Sequence, residues 1–234
     1  MLPVSESTFE AELFGGPVWR LDAGRAADAA DVAAAARAAG VRLISCRIPA
    51  EDLSAAARLQ GAGFRLIERL VTLRRDIASV PDVTRPVAPA RAADRDACVA
   101  IAVAALQQDR YHADPQIDHR IADALKAAWV SNNLAGRADL SLVARNAAGE
   151  VVGFNQLLKV GREAVIDLIA VAPTAQHQGY GRALVAAGLR AYLGQADTMR
   201  VGTQGSNGAS LALYQSAGFT KVQEQLTYHL VPGR

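Results

Sequence analysis

The residues from Val165 to Leu184 constrain the fold more than any other stretch of the chain. They read Val-Ile-Asp-Leu-Ile-Ala-Val-Ala-Pro-Thr-Ala-Gln-His-Gln-Gly-Tyr-Gly-Arg-Ala-Leu. A run of strand-forming apolar residues passes Pro173 into a glycine-containing turn, and the turn opens an amphipathic helix. The first backbone N–H groups of such a helix lack intrahelical partners, and the helix dipole places its positive end there. Gly179 and Gly181 remove side chains that would hold an anion away, and Arg182 adds a cation beside it. The segment predicts a strand–turn–helix unit with a cradle for a pyrophosphate. It is not a Walker loop, because no Gly-Lys-Ser/Thr follows, and its glycines do not fit the GxGxxG dinucleotide fingerprint. The plain alternative is an ordinary tight turn with no ligand.

Pro81, Pro86 and Pro89 mark a join between a small N-terminal unit, residues 1–80, and a larger one, residues 81–234. In the first unit the pattern predicts a helix over 26–40 ending at Gly40, a strand over 41–48 stopped by Pro49, a helix over 51–60, and a strand pair within 64–76. In the second it predicts a short strand at 84–87, a helix near 91–106, a polar loop over 107–118 and a helix over 120–134. Strands over 140–145, 151–160 and 164–171 follow. Then come a helix over 180–193, a strand over 199–203, a helix over 207–216 and two closing strands within 219–230.

The overall balance fits a globular protein of one domain with a half-sized companion: 234 residues, 51 % apolar and 21 % charged. With 25 Lys+Arg against 23 Asp+Glu the net charge is +2, which argues against a dedicated nucleic-acid binder. Cys46 and Cys98 lie outside any CxxC or Cys/His spacing, so neither a disulfide framework nor a metal site is expected. The first ten residues carry no basic and apolar leader pattern, and the longest apolar run, 97–106, is too short to span a membrane. The expected location is cytoplasmic, with no membrane or nucleic-acid partner.

Arg58-Leu-Gln-Gly-Ala-Gly-Phe64 reads like Leu213-Tyr-Gln-Ser-Ala-Gly-Phe219. In that register the strand over 43–48 falls on 198–203, Thr72 falls on Thr227, and Leu59 stands where the C-terminal half has Tyr214. The N-terminal unit is therefore expected to be a degenerate partial copy of the C-terminal half. Chance matching of helix–glycine–strand signals is the rival.

Gln176-x-x-Gly179-x-Gly181 after a strand, followed by Asn207-x-x-Ser-Leu-x-Leu-Tyr214-x-x-x-Gly218-Phe219, resembles the GNAT superfamily of acyl-CoA-dependent N-acetyltransferases over residues 85–230. The resemblance implies an α/β (α+β in some schemes) GNAT fold with a mixed central sheet, here carrying an N-terminal α/β unit like a degenerate half. It also implies acetyl-CoA as co-substrate and no metal. By the same resemblance Gln176, His177, Gln178, Gly179, Tyr180, Gly181 and Arg182 bind the pyrophosphate. Backbone groups of Leu168, Ile169, Ala170 and Val171 pair with the pantetheine like another strand. A narrower similarity is carried by Phe9–Gly15, Asp109–Pro115, Trp129, Ile166–Val171 and Arg200–Gln204. These look like the TDP-fucosamine type of GNAT acetyltransferase, which implies the amine of a nucleotide-linked amino-dideoxy sugar as acceptor and makes a homodimer plausible.

Acetyl transfer needs a neutral amine, a polarised thioester carbonyl and a proton for the departing thiolate. The resemblance assigns that proton to the Tyr214 hydroxyl; the plain reading of Tyr214 is a core residue on an apolar helix face. Asn207 reads either as a helix cap or as a hydrogen-bond partner of the cofactor. Asp167, a carboxylate in an otherwise apolar strand, is a candidate base or a hydrogen-bonded structural acid. His112 in the polar loop is a candidate base or sugar-binding group, and Arg110 a candidate for the nucleotide diphosphate. Both are otherwise solvated surface groups. Trp129 reads as core. Other outcomes are a small amine, amino acid or peptide acceptor, or a non-catalytic acyl-CoA-binding module.

Overall fold

In the computed structural model, which describes residues 2–233, ten strands join one mixed sheet. Met1 and Arg234 lie outside the described residues. The chain begins β1 (Val4–Glu6), α1 (Thr8–Phe14), β2 (Val18–Leu21), α2 (Ala29–Ala38), β3 (Leu43–Pro49), α3 (Leu53–Gly61) and β4 (Arg65–Asp76). It continues β5 (Val87–Pro89), α4 (Arg95–Ala105), α5 (His119–Asn132), β6 (Leu140–Arg145), β7 (Val151–Val160) and β8 (Glu163–Val171). The closing elements are α6 (Tyr180–Tyr192), β9 (Thr198–Gln204), α7 (Gly208–Ser216) and β10 (Thr220–Leu230). The strand order is β1-β2-β3-β10-β4-β9-β8-β7-β6-β5.

Helices cover both faces of the sheet at β6 and β7, and β7 is accordingly buried on consecutive residues from Val152 to Leu157. Leu142 and Ala144 pack with α6, whereas Val143 between them packs with Cys98 and Ile101 of α4. Adjacent residues on a strand point to opposite faces, so α6 and α4 lie on opposite sides. A Cβ on Gly188 would come within 3.0 Å of a Leu157 methyl and 3.1 Å of the Asn155 amide. Glycine there lets α6 press onto β7, where the buried Asn155 amide donates to the Leu184 carbonyl at 3.1 Å. Cys46 and Cys98 are free and buried, and burial pushes both thiols up to about 12.

Two expectations are corrected. The segments 64–76 and 219–230 each form one long strand, β4 and β10, instead of a strand pair. Neither has a glycine, proline or asparagine in its interior to make a hairpin turn. The two strands pair with each other instead, with irregularities at Lys221/Gln223 and Thr227/Tyr228. The sequence reading also left residues 4–21 unassigned, where β1, α1 and β2 form. Those elements are too short to show a period.

The registers bear directly on the internal similarity. Leu226 of β10 lies opposite Ile48 of β3, and Val71 of β4 lies opposite Thr203 of β9. Shifting each partner by the spacing that carries Leu59 onto Tyr214 turns the first pair into the second. The caps follow the same spacing: the Asp52 side chain accepts from Ala55 N–H at 2.9 Å, and Asn207 accepts from Ser210 N–H at 3.0 Å. Gly63 and Gly218 have φ 88° and 83° at the matching helix ends. Chance matching of local signals would not reproduce the cross-strand register. β2 also runs parallel to β3, as β8 does to β9.

Candidate active site

β8 pairs with β9 only from Glu163–Thr198 to Ile166–Val201. Beyond that point the edge of β8 facing β9 is unpaired, while its other edge stays bonded to β7 as far as Gly153–Val171. Leu157 lies opposite Ile166 and Gln156 opposite Leu168, so Asp167 is the extra residue of a bulge where the strands begin to part. The open slot is thus bordered by the backbone of Leu168, Ile169, Ala170 and Val171.

A short 3-10 turn, Pro173–Ala175, carries the chain from β8 to the loop. His177 has φ 61°, the one positive value on a non-glycine among the described residues, and Gly179 has φ 87°. A left-handed histidine is a strained conformation of the kind concentrated at ligand loops. The Gln176 amide donates to the Val171 carbonyl at 3.2 Å and the Gln178 amide to the Thr174 carbonyl at 3.1 Å, bracing the loop from within. No side chain caps α6, and its first turn has no acid. The N–H groups of Tyr180, Gly181 and Arg182 therefore have no acceptor within the helix. This is a cradle that fits a pyrophosphate. The two glycines serve different ends. Gly179 supplies the left-handed turn, whereas a Cβ on Gly181 would meet a Leu213 methyl at 3.3 Å, so its need is close packing against α7.

Tyr214 is 2 % exposed and lies in the same core cluster as Ile166 and Val201, the last paired residues before the slot. Its ring is tilted against Phe219 at 5.8 Å. Among the described residues its hydroxyl has no hydrogen-bond partner. Burial raises its pKa, so the phenol stays an O–H donor at neutral pH. The Asn207 side-chain oxygen caps α7, as the plain reading had it.

Asp167 is held in place by residues the sequence reading missed. After α5 the chain makes a π-helical turn, Asn133–Arg137, in which Gly136 has φ 111°. The buried Asn133 amide donates to Asp167 Oδ2 at 2.8 Å and to Gln156 Oε1 at 2.9 Å. Arg137 Nη1 donates to the same Asp167 oxygen at 2.6 Å. Gly136 read as a plain helix end. The only signal for the network was an asparagine and an arginine four residues apart beside it.

Arg110 and His112 are not on a solvated loop. Arg110 donates to Glu10 at 3.2 Å, bonds the Tyr111 hydroxyl and lies 4.6 Å over the Tyr111 ring. His112 is buried, with Nδ1 at 2.5 Å from Asp109 and Nε2 at 3.0 Å from Asp123. Both belong to a buried polar layer between residues 107–118, the N-terminal unit and α5. Lys126 joins it through Asp109 at 3.1 Å, and Trp129 stacks on Phe9 at 6.2 Å. On the strands beneath, Glu68 of β4 accepts from Arg47 of β3, Thr227 of β10 and Gln204 of β9 at 3.0–3.1 Å. Among the described residues no hydrogen bond or ion pair links Arg110 or His112 to Asp167 or to the loop. An open groove of about 680 Å³ bounded by Arg74, Ser216 and Gly218 lies at the other end of β4 and β9 and includes none of the candidate catalytic, cofactor-binding or acceptor-binding residues.

The polar layer makes stability depend on pH. Burial pushes the Asp114 carboxyl up, but bonds from His229 and the Gln116 N–H, with the Arg65 charge, outweigh it and hold the group low. Burial likewise works against Asp109, and Lys126, His112 and the Tyr111 N–H outweigh it. His229 is displaced downward by burial, and Asp114 only partly offsets this. A lowered histidine folds as the neutral ring, so stability falls once pH drops below the unfolded value of about 6.5. The lowered carboxylates stabilise above their unfolded value of about 3.9, and that contribution is lost as pH falls through the folded one. Thermal melts are expected to decline in two stages on acidification, the upper between about pH 7 and 5. That upper stage should shrink in His229→Asn; a flat profile over that range would count against it.

The chain belongs to the acetyltransferase (GNAT) family, whose model matches residues 102–219. The spore coat polysaccharide biosynthesis protein SpsD of Bacillus subtilis is 32 % identical over 201 residues, covering 82 % of this chain and 67 % of SpsD. A mycothiol acetyltransferase of Stackebrandtia nassauensis is 37 % identical over 95 residues, covering 38 % of this chain and 31 % of that protein. Among solved structures, a GCN5-related N-acetyltransferase from Sphaerobacter thermophilus superposes with a TM-score of 0.61 at 16 % identity, covering 80 % of this chain and 59 % of that one. At that identity the likeness speaks for the fold alone, and the fold is the GNAT α/β arrangement. Among the described residues no helix is long and apolar enough to cross a membrane.

Proposed function

We propose that this protein transfers the acetyl group of acetyl-CoA to a primary amine on a nucleotide-linked amino-dideoxy sugar. The observation that carries the acetyl-CoA part is the parting of β8 from β9, which leads to the uncapped start of α6. Members of this family use acetyl-CoA, and bound there it supplies the thioester. The loop from Gln176 to Arg182 holds the pyrophosphate, and the free edge from Leu168 to Val171 aligns the pantetheine as an added strand. Asn207 adds a polar contact through its amide, which α7 leaves unused. An unpaired N–H of the β8 edge polarises the thioester carbonyl. Tyr214 protonates the departing sulfur, and Asp167 takes the proton of the acceptor ammonium through water.

The sugar acceptor is supported by the SpsD relationship, since that protein is named for polysaccharide biosynthesis, and by the N-terminal features shared with the TDP-fucosamine type. Arg110 and His112 enter this reading as groups that shape the acceptor side from within the buried layer. The test is release of the CoA thiol from acetyl-CoA with a TDP-4-amino-4,6-dideoxyhexose against a panel of simple amines, amino acids and peptides. Release with the nucleotide sugar alone is the expected result. Release only with simple amines would remove the sugar from the proposal, and binding without turnover on any amine would leave an acyl-CoA-binding module.

A further inference from the structure

We infer that Arg85, in the proline-rich join ahead of β5, is a phosphate ligand of coenzyme A; the inference rests on the cofactor reading above. Arg85 Nε donates to the Gln178 carbonyl at 3.1 Å, inside the loop. Its guanidinium lies 5.4 Å over the ring of Tyr180, the first residue of α6. Pro86 follows and disfavours a helical backbone at Arg85, so the join does not continue as a helix there. The two Nη groups make no hydrogen bond or ion pair among the described residues, and neither does the Arg182 guanidinium.

Two unpaired cations therefore sit at the positive end of a helix dipole whose first turn holds no acid. A dipole disfavours cations at that end, so this placement opposes folding unless an anion lies between them. A phosphate resolves the conflict: it accepts from the α6 N–H groups and from a guanidinium fork whose geometry matches its oxygens. Arg85 then does two jobs with one side chain, bracing the Gln178 carbonyl with Nε and meeting the phosphate with Nη1 and Nη2. The join between the two units thereby becomes part of the cofactor site.

The experiment is titration calorimetry of the full chain and of Arg85→Ala with coenzyme A, 3′-dephospho-coenzyme A and pantetheine. Arg85 is exposed, and an unchanged melting temperature verifies that the variant is folded. The substitution is expected to weaken coenzyme A about fivefold or more and to leave pantetheine unaffected. A penalty that persists with 3′-dephospho-coenzyme A places the contact on the pyrophosphate, and one that vanishes places it on the 3′-phosphate. Equal affinities of variant and parent for coenzyme A overturn the inference. So does an equal penalty for pantetheine, which would make Arg85 only a brace for the loop. Failure of the parent chain to bind coenzyme A would instead defeat the cofactor reading itself.

Discussion

Replacing Tyr214 with Phe is expected to lower kcat by about tenfold or more and to leave the Kd for acetyl-CoA near that of the parent protein. A tenfold loss corresponds to about 1.4 kcal/mol of transition-state stabilisation. The effect comes from the hydroxyl, because packing already accounts for the ring. Tyr214 is 2 % exposed in a core of Ile166, Val201 and Phe219, and phenylalanine keeps that shape. Its counterpart in the N-terminal copy is Leu59, fully buried at the matching place on α3. The strand–helix–strand unit thus packs without a polar group there, and the hydroxyl is not a requirement of the fold. A thiol-release assay reads the loss, and calorimetry with acetyl-CoA reads the affinity. Unchanged turnover would remove Tyr214 as the acid.

Residues 81–234 expressed alone are expected not to fold cooperatively. The reason is the strand order. β9 and β10, joined through α7, do not pair with each other, because β4 from the N-terminal segment lies between them. β10 is bonded on its other side to β3, also from that segment. Truncation would strip both neighbours from β10 and one from β9, leaving rows of unpaired N–H and C=O groups. It would also expose the Leu226, Tyr228 and Leu230 side chains that α2 and α3 cover. Circular dichroism and thermal melting of the fragment test this. A sharp melt with native helix and strand content would show that the second unit is independent of the first.

The structure also separates what was legible in the sequence from what was not. The loop from Gln176 to Arg182 was legible because its chemistry is local: strand, glycine turn and helix start follow one another along the chain. The internal similarity was legible for the same reason, since helix ends and caps repeat at one spacing. The extent of β4 and β10 was not, because a long strand is decided by what lies beside it, and its partners are distant in sequence. The surroundings of Asp167 depend on a π-helical turn that places Asn133 and Arg137 over a bulge 30 or more residues later. Arg110 and His112 read as solvated because they stand in a polar run. His112 is buried and Arg110 half-buried because Asp109, Asp123 and Glu10 satisfy them, and Glu10 comes from 100 residues earlier in the chain.

The sequence alone determined the strand–turn–helix form of residues 163–192 and the helix that carries Tyr214, since each is set by residues within a few turns of one another, and its resemblance to the GNAT superfamily implied the fold. Only the tertiary structure decided that β3 and β4 complete the sheet of the C-terminal half, that Asp167 is anchored, and that Arg85 reaches the loop. Those arrangements join residues far apart in the chain, and a pairing of that kind leaves no periodic trace in either partner.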